Sequence, residues 1–314
     1  MNETVLITGG GGAAAVSAIK SLRMGGFGGR IVSADADPLS AGLYLADAFR
    51  VLPKAKDREF FPAALRLMED EGVNVIFPTS GFDIYEFAKH KAELEARGVV
   101  VAMSDADAMT TCANKWEFYL KTHGAFPMPE TSRDPASWQH FPCFVKPVFG
   151  KGSRNSYRCA NRSELEHYCA QHQDMLIQEY LPGEEYTVDV LSDLAGVPRF
   201  AVPRARLETK DGISSKGRVF RDPEMERLCL DIGRHLCLKG PTCMQLKRDE
   251  SGGLKFLEIN PRMGGGSMFT TLAGVNIPML LLDLIRGTEL APQAPNEIVV
   301  LRYYEEVVLD ARQR

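Results

Sequence analysis

The sequence has no cysteines at metal or redox spacing. Its seven, at positions 112, 143, 159, 169, 229, 237 and 243, include no C-x-x-C pair and no histidine-containing zinc pattern. An odd, scattered set excludes a disulfide framework and predicts reduced thiols in a cytoplasmic protein. A long apolar run is missing too. The longest, Ile277 to Ile285, is too short for a bilayer and contains Asp283, which argues against a membrane role. Excess positive charge is absent: 37 Lys and Arg stand against 41 Asp and Glu, a formal net charge of −4. That balance gives no general attraction for nucleic acid or anionic lipid. The start, Met1-Asn2-Glu3-Thr4, has no basic n-region and predicts no secretory leader. The G-x-x-x-x-G-K-[ST] order of a Walker A loop does not occur, and no internal repeat or low-complexity linker is evident.

What remains is an ordinary soluble composition, with 314 residues that suffice for two or three domains or subdomains. The first third alternates apolar strands with helices. Strands are expected at 4–8, 30–34, 73–77 and 99–103, and helices at about 13–24, 62–71 and 83–97. That order predicts a parallel sheet covered on both faces. Gly9-Gly10-Gly11-Gly12 after the first strand and Asp35 after the second approach a dinucleotide fingerprint. The G-x-G-x-x-G spacing ends on Ala14, however. A tight strand-to-helix turn, or contact with a ligand other than a nicotinamide, explains these glycines better. Beyond residue 104 the pattern becomes α+β, with helices at 114–123, 163–171, 222–237 and 277–286. Strands are expected at 141–147, 175–180, 186–191, 199–205, 244–248 and 254–260.

The richest segment is Phe256-Leu257-Glu258-Ile259-Asn260-Pro261-Arg262. Alternation puts Glu258 and Asn260 on one face, and a turn at Glu250-Ser251-Gly252-Gly253 sets Gln245 opposite Glu258. Three oxygen ligands beside a guanidinium suit Mg²⁺ held partly by substrate phosphates. A half-exposed edge hairpin is the plainer alternative. Upstream, Lys146 ends a strand four residues before the loop Gly150-Lys151-Gly152-Ser153. Its backbone N–H groups can form an anion-binding concavity, or simply an exposed basic turn. Gln178 to Tyr186 reads as strand, Pro-Gly hinge and strand. Its extended backbone could read an adenine edge and Glu185 could bond ribose hydroxyls, unless it is only an interdomain hinge.

In this order Asn114-Lys115, Lys146-Pro147, Gly150 to Ser153, Gln178 to Tyr186, Gln245 and Glu258 to Arg262 resemble the ATP-grasp superfamily over about residues 100 to 290. Gln245…Glu258-x-Asn260 and Met263-Gly264-Gly265-Gly266-Ser267 look most like the carbamoyl-phosphate-synthase-like ligases. The resemblance implies α/β and α+β architecture. A Rossmann-like pre-ATP-grasp domain (1–104) precedes an ATP-grasp domain (105–314), which divides into a lid subdomain (about 125–181) and a catalytic subdomain (about 182–314).

It further implies ATP with one or two Mg²⁺ ions, Mn²⁺ being a substitute. Lys115 and Lys146 would meet the α- and β-phosphates, and Gly150, Lys151, Gly152 and Ser153 would close over the β- and γ-phosphates. Glu179, Tyr180 and Leu181 would hold adenine, and Glu185 the ribose. Gln245, Glu258 and Asn260 would bind metal, with Arg262 at the transferred phosphoryl group. Arg204, Arg206 and Lys216 match positions of further cations more loosely. The family usually has Asp where Asn114 stands and glycine at Asn155, though Asn tolerates a left-handed backbone.

The implied activity is ATP-dependent ligation of a carboxylate to an amine or thiol through an acyl phosphate. The alternatives are a phosphotransferase on a non-carboxylate acceptor and a Rossmann-type oxidoreductase. One such unit without a glutamine-hydrolysing domain argues against carbamoyl phosphate synthesis itself. Partners are small-molecule acids and amines, with a homodimer as a compatible assembly. The acceptor is expected among Thr79 to Asp83, Gly264 to Ser267 and the Arg204/Arg206 pair. Asp83 itself reads equally as a helix N-cap, and no side chain stands out as a general base.

Overall fold

A computed structural model describes residues 3–150, 152 and 154–310. Lys151 and Ser153 of the expected phosphate loop lie outside the described residues. The first third builds β1 (Thr4–Thr8), α1 (Ala13–Met24), β2 (Arg30–Asp35), β3 (Ala48–Val51), α2 (Phe60–Glu71), β4 (Val75–Phe77), α3 (Ile84–Lys89), α4 (Lys91–Ala96) and β5 (Val100–Val101). The strands pair in parallel in the order β3-β2-β1-β4-β5. Buried on both faces, β1 and β4 are apolar without alternation. The expected single helix over 83–97 breaks at His90 into α3 and α4. The fourth expected strand shortens to two residues. Edge strand β3 escaped the sequence reading because its side chains are mostly exposed.

Next come α5 (Ala106–Ala113), α6 (Lys115–Thr122), β6 (Thr131–Ser132), β7 (Cys143–Pro147), β8 (Tyr157–Cys159), α7 (Arg162–Gln171) and β9 (Met175–Glu179). Their strands form a small antiparallel sheet, β6-β9-β7-β8, backed by α7. Asn114 caps α6 by accepting from the N–H groups of Trp116 and Glu117. It thereby does the capping that an aspartate could do there. Asn155 takes a left-handed φ of 56°, so the lid backbone accommodates it in place of glycine.

The remainder is β10 (Glu185–Ser192), β11 (Pro198–Lys210), β12 (Ile213–Val219), α8 (Pro223–His235), β13 (Gly240–Arg248), β14 (Leu254–Asn260), α9 (Ser267–Leu272), α10 (Ile277–Ile285) and β15 (Ile298–Leu301). Its six strands form one antiparallel sheet in the order β14-β13-β10-β11-β12-β15. One apolar cluster joins β1, β4 and α1 to α9, α10 and this large sheet through residues such as Ile7, Leu22, Val202, Phe269 and Leu281. The small sheet keeps a separate core around Trp138, Val145, Leu165 and Ile177. The first and last thirds are therefore packed as one body, while the small sheet stands on its own core. Among the described residues no helix is long and apolar enough to cross a membrane.

Candidate active site

The hairpin β13–β14 pairs Gln245 with Glu258 as the sequence suggested, but by a different register. The turn spans five residues, so Leu246 faces Phe256, and a bulge at Leu257 restores the Gln245–Glu258 pair. Phe256 and Ile259 therefore point into the core, and Leu257 turns toward a cleft. That cleft, about 460 Å³, lies between the small and large sheets. Lys115, Lys146, Gly150, Gly152, Glu179, Tyr180, Leu181, Glu185, Arg206, Gln245 and Glu258 all line it. Phe144, Gln178 and Lys247 line it too and were missed. Strand period would have found two of them: Phe144 lies two residues before Lys146, and Lys247 two after Gln245.

The charges converge closely. Lys146 is 7% exposed and donates to the Leu257 carbonyl at 3.3 Å. Lys115 donates to the Gly150 carbonyl at 2.9 Å and stands 3.8 Å from a Glu258 oxygen. Burial lowers the Lys146 pKa to about 8, with neighbouring Lys115 adding to the effect and Glu258 opposing it. Burial also lowers Lys115. Two cations held this way, with one carboxylate between them, are poised for a polyanion that restores their charge. Asn260 donates to Glu258 at 3.1 Å. Among the described residues no three of His, Cys, Asp or Glu gather as metal ligands. One carboxylate with the amide oxygens of Gln245 and Asn260 still fits a hard cation that takes its other ligands from phosphates and water.

Tyr180 is flanked by Arg158 at 5.0 Å and Lys247 at 5.6 Å from its ring centre. Glu179 accepts from the Glu130 N–H. Arg206 pairs with Glu185 at 2.5 Å, and both line the cleft between the two sheets. Two further cations lie outside both cavities. Arg204 is 1% exposed and forks onto Asp189 at 2.9 and 3.1 Å, with Thr270 also donating to that carboxylate. It is a buried brace under Gly266, where any Cβ would lie 2.4 Å from its guanidinium. Lys216 sits half-exposed on β12, pairs with Glu208 at 2.8 Å and lines neither cavity.

A second cavity, about 1030 Å³, opens at the carboxyl ends of β1, β2 and β4. The parallel order reverses between β1 and β4, and such switch points are where open α/β sheets bind ligands. Gly9, Gly12, Asp35, Thr79, Ser80, Asp83 and Tyr85 line it, joined by Arg262 and Gly265 from the large-sheet side. Gly9 has φ +71° and a Cβ there would lie 2.6 Å from that of Ser80, so the turn requires glycine. Asp35 accepts from the N–H groups of Gly11 and Asp37, which makes it a latch on the turn rather than a ribose ligand. Asp83 precedes α3 but makes no capping bond.

Residues 171–307 match the family model described as ATP-grasp in the biosynthetic pathway with Ter operon, and residues 5–102 match the PylC-like N-terminal domain. Among solved structures the chain is similar to the biotin carboxylase–β-γ-ATP complex of Campylobacter jejuni. That match has 17% identity and a TM-score of 0.72, over 92% of this chain and 72% of that one. It is also similar to the biotin carboxylase domain dimer of Hydrogenobacter thermophilus 2-oxoglutarate carboxylase with MgADP, ADP and bicarbonate. There the identity is 17% and the TM-score 0.71, over 92% and 70% of the two chains. An ADP complex of purK, N5-carboxyaminoimidazole ribonucleotide synthetase, gives 14% identity and a TM-score of 0.75, over 95% and 81%. At these identities the likeness concerns the fold.

Proposed function

We propose that this chain, a PylC-like N-terminal domain followed by an ATP-grasp domain, is an ATP-dependent ligase that joins a carboxylic acid to an amine. One observation carries the reading. Glu258 lines the nucleotide-sized cleft while Arg262, four residues on, lines the switch-point cavity, so one short segment serves both. A phosphoryl group held near Glu258 would lie close to an acid held by Arg262.

Lys115 and Lys146 would neutralise the phosphates, and Glu185 with the 179–181 backbone would hold the nucleoside. Gln245, Glu258 and Asn260 would hold Mg²⁺, which supplies charge neutralisation for the transferred group when bound. The chain's own part in that step is positioning and electrostatic stabilisation rather than proton transfer. Arg262 orients the acid, and the small sheet covers the cleft against water. The dimeric carboxylase domain above makes a homodimer a compatible assembly for this chain also.

The test is ADP release over a panel of amino acids and sugar acids with hydroxylamine present. Hydroxamate formation together with ADP identifies the activated acid. ADP without hydroxamate on any acceptor indicates phosphotransfer to a non-carboxylate. No ADP above background on any acid removes the ligase reading.

A further inference from the structure

We infer that the switch-point cavity contains an amine site, where Asp83 beside the Thr8 hydroxyl receives the ammonium group of the second substrate and takes its proton. This rests on the ligase reading above and names the nucleophile's class and its base. Asp83 is 6% exposed and Thr8 1% exposed; the Thr8 hydroxyl lies close enough to favour the ionised carboxyl, yet neither Asp83 Oδ1 nor Thr8 Oγ1 makes a well-formed hydrogen bond among the described residues. Leaving a buried polar atom unsatisfied costs about 1–3 kcal/mol. A buried carboxyl in the cavity wall with only the Thr8 hydroxyl beside it leaves acceptor capacity that a donor arriving with the ligand can meet.

An alkylammonium brings three N–H donors and the charge that a buried carboxylate lacks here. A second carboxylate would bring no donor and would repel it. The charged groups around Asp83 agree with this division. The Thr8 hydroxyl on β1 favours its ionisation, Asp35 on β2 opposes it, and Arg262 beyond β14 favours it only weakly against burial. Tyr85, Glu86 and Lys89 of its own helix line the same cavity, as do Lys54 and Lys56 from the loop after β3. Burial is the dominant influence and raises its pKa to about 7, where a carboxylate works as a base near neutrality. Arg262 supplies the complementary pole, so one cavity holds a cation for the acid and an acid for the cation.

The step balances as follows. Asp83 takes one proton from the ammonium, freeing the nitrogen lone pair. That pair forms the C–N bond as the C–O bond of the acyl phosphate breaks, and phosphate leaves with its electrons. The second surplus proton on nitrogen goes to the departing phosphate. Asp83 then returns its proton to solvent.

Two nucleophiles separate the base from the rest of the site. Hydroxylamine is largely neutral at about pH 7 and needs no base, whereas n-propylamine is protonated and does. Asp83→Asn should lower the ratio of propylamide to hydroxamate at least about tenfold at that pH. The deficit should shrink toward roughly pH 9.5, where free amine accumulates. Equal loss with both nucleophiles at both pH values overturns the assignment. Should wild type form hydroxamate but no propylamide, binding decides; if it forms neither product, the ligase reading fails and binding again decides. In that measurement, n-propylammonium chloride at roughly 0.2 M should raise the wild-type thermal midpoint above that in equal tetramethylammonium chloride. The difference should vanish in Asp83→Asn. Equal wild-type midpoints in the two salts overturn the amine site.

Discussion

The cleft lies between two sheets with separate cores, whereas the switch-point cavity sits at the strand ends of the parallel sheet. One face of that sheet shares a core with the large sheet, and its other face packs on α2 and α3. From the small sheet across the cleft the ties are polar: Lys146 to the Leu257 carbonyl and Lys255 to Glu179 at 3.8 Å. Around the cavity the ties are apolar and numerous, reinforced by Ser21 to Thr271 at 2.8 Å and Asn276 to the Ser21 carbonyl. A cleft held by exchangeable polar contacts can open more readily than one sealed by an apolar core, as the proposed nucleotide site requires. The cavity instead carries buried polar groups in its wall, Asp83 among them.

The largest expected effect tests the cleft. Glu258→Gln should cut ADP release at least about 100-fold, because it removes the only carboxylate of the metal set, while thermal stability stays near wild type. Near-normal turnover would end the metal assignment and with it the division of labour. Next comes the buried brace under Gly266. Arg204→Met leaves Asp189 charged and buried without its partner, which should cost about 3–5 kcal/mol of stability. A large fall in turnover with an unchanged unfolding midpoint would mean instead that Arg204 touches substrate.

Asp83 gives a third test, read as stability against pH. Its carboxyl ionises near 7 when folded and near 3.8 in the reference state, so between these values the folded chain holds the extra proton. Wild-type stability should therefore fall as pH rises from about 4 to 7, by up to roughly 4 kcal/mol as a ceiling. Asp83→Asn should remove that slope and be relatively more stable at pH 8 than at pH 5. Parallel pH profiles for the two proteins would show that the cavity wall holds no buried acid of this kind.

The two regions also differed in legibility. The cleft's residues sit on short motifs whose order and spacing survive in the chain: a lysine ending a strand, a glycine loop, a Pro-Gly hinge and an alternating hairpin. Even there Gln245 met Glu258 through a bulge at Leu257 that alternation could not foresee. The cavity has no such signature. Asp83 reads as a helix cap from its neighbours. It becomes a buried acid only because β1, β2 and Arg262 close around it from distant parts of the chain. Strands β8, β12 and β15 were missed for a related reason. They are short or carry polar, partly exposed residues at or near sheet edges, so pairing rather than hydrophobic pattern defines them.

The smallest effect sharpens the boundary of the cleft. Lys216 has the charge and approximate position expected of a cation near the transferred phosphoryl group, but β12 turns it to solvent against Glu208. An exposed pair of this kind contributes at most about 1 kcal/mol. Lys216→Ala should accordingly change turnover less than about twofold and leave the unfolding midpoint almost unmoved. Arg206→Ala, two strand positions from Arg204 and paired with Glu185 inside the cleft, should raise the KM for ATP several-fold under the same assay. If Lys216→Ala instead matched Arg206→Ala, the cleft would have to reach across the sheet in a closed state. The small sheet's polar attachment would then permit a larger movement than its present contacts suggest.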